Sequence, residues 1–392
     1  MKKILTFFMI LLVIGVGTAL LINLSEPKTV DIQEYLSNLE EDYTQYPLYR
    51  SLNQEEKYAY AMICNALKEF NHSTAKIYTG SSRREVDEFG DRMVSLYRDI
   101  VYEQSEYFWV DPYYCELKIV EIDGVFTAYI EPKYILDKNQ ADTMKGTFNL
   151  TLERIVSEAE KKEDDFQKIL YVYDYILEHC EYDDTLIEHN EDSTVSLNAY
   201  GCLVDGRTVC SGYTLAFDAV LKRLGYECGA EFNNYSGFSI FTGHVWNYCK
   251  IEDDYYYFDL TWDDTGFRDE KYRKYFDHSH TYFAISKEEL SKSNYTLSPD
   301  APTPYCGGTK YNYFNHYGYN LKEYDPELAE EIILSQSSQN FVVLRFDDYS
   351  ALLKARIDLI DNDRIFTILS PVTRVSYVSS NSNLHLYIFP EQ

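Results

Sequence analysis

Three short runs bring together a thiol, an imidazole and a carboxylate. The first is Gly201-Cys202-Leu203-Val204-Asp205-Gly206-Arg207-Thr208-Val209-Cys210-Ser211-Gly212-Tyr213. A glycine-punctuated loop ends at Cys210, and Tyr213, Ala216, Phe217, Val220, Leu221 and Leu224 then recur at helical spacing up to Gly225. Cys210 is therefore expected at a helix N-terminus. Unbonded N–H groups and the helix dipole favour a thiolate there, and the backbone N–H of the same turn can face a developing oxyanion.

The second run, Gly243-His244-Val245-Trp246-Asn247-Tyr248-Cys249-Lys250-Ile251, alternates like a strand. Glu252-Asp253 reads as a turn, and Tyr255 to Trp262 as the returning strand, with Asp259 near its end. If that turn holds two residues, Ile251 faces Asp254, Trp246 faces Asp259 and His244 faces Thr261. His244 then lies within diagonal reach of Asp259 on one face. Trp246 shares that face and shields the site, while Asn247 points the other way. The order is that of a nucleophile, its base and the acid that orients the base.

These motifs closely resemble the core of the transglutaminase-like superfamily of papain-like thiol enzymes. The resemblance is carried by Val209-Cys210-Ser211-Gly212-Tyr213, Gly243-His244-Val245-Trp246-Asn247 and Asp259-Leu260-Thr261-Trp262, over about residues 160–290. It implies an α+β fold in which the helix bearing the nucleophile packs on an antiparallel sheet. It also implies acyl transfer through a thioester, with Cys210 as nucleophile, His244 as base and then acid, and Asp259 as orienter. Such a site takes an oxyanion donor from an upstream side chain, and Tyr182 is the candidate. Hydrolysis and amine transfer stay equally open, with a protein or peptide substrate, from the cell envelope by location. A binding or scaffold protein that keeps the fold without turnover is the alternative.

The rest of the chain must position this core. Residues 1–24 read as a membrane anchor or signal peptide: Lys2 and Lys3 precede an uncharged run over 4–22, which as a helix would span about 28 Å. With the lysines inside, the bulk lies outside the cell. Residues 25–50 read as a linker, 51–160 as a helical and β region, 161–300 as the core, and 307–392 as a small α+β domain. Helices are expected from Asn53, over about 86–102, 140–161 and 164–181, and in the tail near 326–335 and 349–359. Strands are expected at about 114–121 and 125–131 around an Asp123-Gly124 turn, and in the tail at 341–346, 364–369 and 384–389.

Acidic residues number 64 against 36 basic ones among 392, giving a formal charge of −28. That balance excludes a nucleic-acid-binding face. Eight cysteines form no CxxC pair, and Cys202 or Cys249 could mask Cys210 in a disulfide. No cofactor is expected. Asp263-Asp264 lacks the ligand order of a calcium loop and reads as a solvated turn. His278-Ser279-His280 is a weak metal signal without other ligands nearby. Oligomeric state is not legible.

Overall fold

The computed structural model describes residues 31–184, 194–233, 243–265, 279–293, 295, 297, 303–380 and 383–391. The chain divides into two units, residues 1–41 and 42–392. Among the described residues of the first lies a short helix, Ile32–Ser37, capped by the Asp31 carboxylate. The apolar run over 4–22 lies outside the described residues. Among the described residues no helix is long and apolar enough to cross a membrane. The expected single N-terminal membrane anchor is therefore corrected: the described residues do not support it.

In the second unit, Tyr43 and Tyr49 of the expected linker are buried, both edge-on to Tyr60. Tyr60 belongs to helix Gln54–Glu69, which opens with an Asn53–Glu56 capping box. Helix Arg83–Glu103 buries Phe89, Met93, Leu96 and Tyr97, the stripe its sequence shows. It packs on a sheet of β1 (Tyr78–Gly80), β2 (Val110–Ile122) and β3 (Val125–Tyr134), in the order β1-β3-β2. Asp123 and Gly124 both take positive φ in the turn between β2 and β3, the backbone that a two-residue hairpin turn demands.

The core starts with helix Asp165–His179, whose Asp164 cap accepts from the Gln167 N–H. Ile169, Val172, Tyr173 and Ile176 are buried along it. The chain then forms β4 (Glu181–Tyr182), which pairs in parallel with β5 (Arg207–Thr208). Helix Cys210–Arg223 follows directly, buried from Cys210 through Leu221. It lies against an antiparallel sheet of β6 (Cys228–Phe232), β7 (Val245–Ile251) and β8 (Asp254–Phe258), in that order. The β7–β8 register is the expected one, with Ile251 opposite Asp254 and Asn247 opposite Phe258. The returning strand is shorter than expected: it stops at Phe258, and Leu260–Thr265 is a helix.

Polar contacts tie this core to the N-terminal part. The Lys222 ammonium donates to the carbonyls of Tyr102 and Glu103 as well as to Asp218. Arg223 pairs with Glu106. The Asn198 amide donates to the Phe108 carbonyl over 2.7 Å.

The C-terminal sheet runs β11-β12-β10-β9, from β9 (Asn320–Leu321), β10 (Val342–Phe346), β11 (Arg374–Ser380) and β12 (His385–Glu391). The strand expected at 364–369 is instead helix Arg364–Ile368. Ile365, Ile368 and Leu369 recur at three and four residues and are buried, which is helical spacing.

Gly212 decides how closely the Cys210 helix meets its surroundings. A Cβ there would collide with the Thr208 hydroxyl and fall 2.8 Å from the Asn198 carbonyl oxygen, which is backbone and cannot swing away. Gly212→Ala is expected to cost about 1–3 kcal/mol of stability, as overpacking does, measured by urea unfolding.

Candidate active site

Cys210 occupies the first position of its helix, after Val209 in extended conformation. The Gly212 and Tyr213 N–H groups of the first turn bond back to the Val209 carbonyl, and the Ser211 hydroxyl donates to Leu197. The thiol is buried at 7% exposure.

His244 stands at the entrance to β7. Asn233 holds its backbone from both sides: its side-chain oxygen accepts from the His244 N–H, and its own N–H donates to the His244 carbonyl. The ring nitrogen Nε2 lies 2.6 Å from Asp259 Oδ2. With Nε2 committed to the acid, Nδ1 is the nitrogen left for the thiol, and Cys210 is, after Asp259, the group that raises the imidazole. Burial works against a charged ring here, but the Asp259 carboxylate and then Cys210 outweigh it, so the imidazole is pushed up to about 10.

Asp259 is fixed by more than the histidine. It sits where β8 ends and the short helix begins, and its Oδ1 accepts from the Trp262 N–H at that helix start. Oδ2 also accepts from the Tyr295 hydroxyl at 2.5 Å. Its backbone N–H donates to Tyr282, and its carbonyl accepts from Tyr173. Both carboxylate oxygens and both backbone polar groups of this residue are thus engaged.

The remaining expected residues fall as follows. Trp246 stacks on the His244 ring at 5.6 Å and is buried. Asn247 faces the opposite way, and its amide donates to the Thr214 carbonyl and to Asp218, binding the sheet to the Cys210 helix. Tyr182 packs against Leu197 and Val209. All eight cysteines are free, and Cys202 and Cys249 are buried. His278 lies outside the described residues, and His280 bonds Asp174.

One expectation is corrected. Asp263 is not in a solvated turn but is buried at 1% exposure. It accepts from the Tyr173 and Ser279 hydroxyls and the Tyr282 N–H. Burial pushes its carboxyl up to about 7. Asp264 accepts from Tyr213. An alternating-strand reading put both on a turn; the helix that replaces the strand turns Asp263 inward.

Tyr295 and Trp262 flank the His244 ring, each at 5.9 Å. The motif held Trp262 without giving it a role, and no motif announces Tyr295. Tyr113 is equally unannounced. It brings its hydroxyl to 4.0 Å from Cys210 Sγ, from a strand almost a hundred residues earlier. Among the described residues no group of His, Cys, Asp or Glu is placed to hold a metal ion.

No curated protein matches this chain. Among solved structures, one described as a TGase is 16% identical, with a TM-score of 0.26 over 53% of this chain and 58% of its own. Another, described as a "Putative Cysteine Protease" from Cytophaga hutchinsonii, is 14% identical, with a TM-score of 0.23 over 38% and 62%. The chain thus spans less than two thirds of either structure. The model of the transglutaminase-like superfamily matches residues 153–260, from the helix before the core to the residue after Asp259. The segment that carries Cys210, His244 and Asp259 is thus the part of the chain that is similar to the transglutaminase-like superfamily.

Proposed function

We propose that the protein is a cysteine acyl-transfer enzyme acting on peptide or side-chain amide bonds. The observation that carries this reading is one imidazole held at 2.6 Å by a buried carboxylate and neighboured by a thiol at a helix start. In the proposed reaction the Cys210 proton is held on His244 Nδ1, the raised imidazole being the charged partner of an ion pair. The sulfur attacks the amide carbon, and the amine departs with the proton that His244 returns. A thioester remains on Cys210 until water or a second amine takes the acyl group. Asp259 keeps the proton on Nε2 and steadies the imidazolium. Trp246 and Trp262 screen the ring from one face and one edge.

The deciding experiment incubates the full chain with a glutamine peptide, with and without a primary amine, and locates adducts by mass. The expected result is an acyl adduct on Cys210 that vanishes in Cys210→Ala. Release to water identifies a hydrolase, and transfer to the amine a cross-linker. Adducts that persist in Cys210→Ala overturn the reading.

The histidine also marks the pH dependence of stability. Its folded pKa is raised from the ordinary value of about 6.5 to about 10. The stabilisation it brings is therefore complete below about pH 6.5 and is lost as pH rises through about 10. Asp259→Asn removes the cause. The melting-temperature gap between wild type and this variant is expected to be wider at about pH 6 than at about pH 10.5.

A further inference from the structure

Tyr113 reaches the thiol from outside the segment matched to the superfamily. It lies in β2 where the ladder with β3 breaks: Val110 pairs with Tyr134, but the next pair is Cys115 with Pro132, so the register shifts between them. Such a bulge re-aims the side chains it carries. Here it is held in place by the buried Asp111 carboxylate, which accepts from the Tyr113 N–H at 2.9 Å and pairs with Lys133 at 3.2 Å. The ring then packs on Leu197 and on Val209, the residue before the nucleophile. At 4.0 Å the hydroxyl is too far for a strong bond to the sulfur, yet it is within reach of an oxygen borne by a carbon bonded to that sulfur. Burial raises the Tyr113 phenol well above its ordinary range, so it stays protonated and can donate at neutral pH.

Resting on the acyl-transfer reading, the geometry points to Tyr113 as the side-chain donor to the oxyanion, supplied by the β2 bulge rather than by the superfamily core. When the Cys210 sulfur pair forms the S–C bond, the carbonyl π pair moves onto oxygen. Tyr113 donates a hydrogen bond to that oxyanion and keeps its proton. On collapse the pair returns to re-form C=O, the C–N bond breaks, and the amine leaves with a proton from His244. The N-terminal region is then part of the catalytic apparatus.

Two reactions of Cys210 separate this role from a structural one. Turnover of p-nitrophenyl acetate passes through an oxyanion; alkylation by iodoacetamide does not. In the full chain, Tyr113→Phe is expected to slow ester turnover about a hundredfold, the scale of one lost oxyanion donor, while alkylation of Cys210 proceeds at the wild-type rate. Asp111→Ala, which frees the bulge, is expected to show the same selective loss in milder form. Unchanged turnover in Tyr113→Phe, an equal fall in both rates, or a selective loss in Tyr182→Phe instead would overturn the assignment. Ester turnover by Cys210→Ala at the wild-type rate would instead fell the acyl-transfer reading, and Tyr113's role with it.

Discussion

A carboxylate buried against an imidazole organises the centre of this protein. Asp259 is 2% exposed, and an acid so deeply placed is tolerated only with its oxygens engaged. The structure supplies His244, Tyr295 and the Trp262 N–H as partners, and each comes from a different local setting. The strand must end at Phe258 and the helix begin at Leu260 so that the acid doubles as a helix cap. The imidazole must stand at the mouth of β7, held by Asn233. The chemistry at Cys210 depends on both.

The helix that carries the sulfur meets equally strict conditions. Its first turn is wedged between Thr208 and the Asn198 carbonyl at a position open only to glycine. Its middle is stitched to β7 through Asn247 and through the Thr214 hydroxyl, which donates to Val245. These bonds join the helix that carries the thiol to the strand that carries the imidazole. Beneath them Tyr173 joins the backbone of Asp259 to the Asp263 carboxylate, a second buried acid under the first.

What the sequence made legible was mostly local. A two-residue turn and strict alternation determine the β7–β8 register, because slipping by one would send every side chain to the other face. Helical periodicity marks the Asp165–His179 and Cys210–Arg223 helices for the same reason. The errors share a cause too. Leu260–Thr265 and Arg364–Ile368 are short, and a short apolar run fits strand and helix alike until its burial is known. Strand β11, rich in serine and only half-buried, shows no apolar alternation to read. Tyr113 and Tyr295 are invisible in the sequence because nothing in their neighbourhood records a partner a long way along the chain; a bulge in one case and an aromatic packing in the other bring them in.

Lys222 shows how little independence the superfamily segment has. Its ammonium, at the last turn of the Cys210 helix, is satisfied by Asp218 within that helix and by two carbonyl oxygens at the end of helix Arg83–Glu103. Trimming the polypeptide to residues 153–260 would strip a charged group of much of its solvation and bare the Asn198 amide as well. The stretch that carries the family likeness and the stretch that can stand as a folded body are different lengths of chain, and the first is housed inside the second.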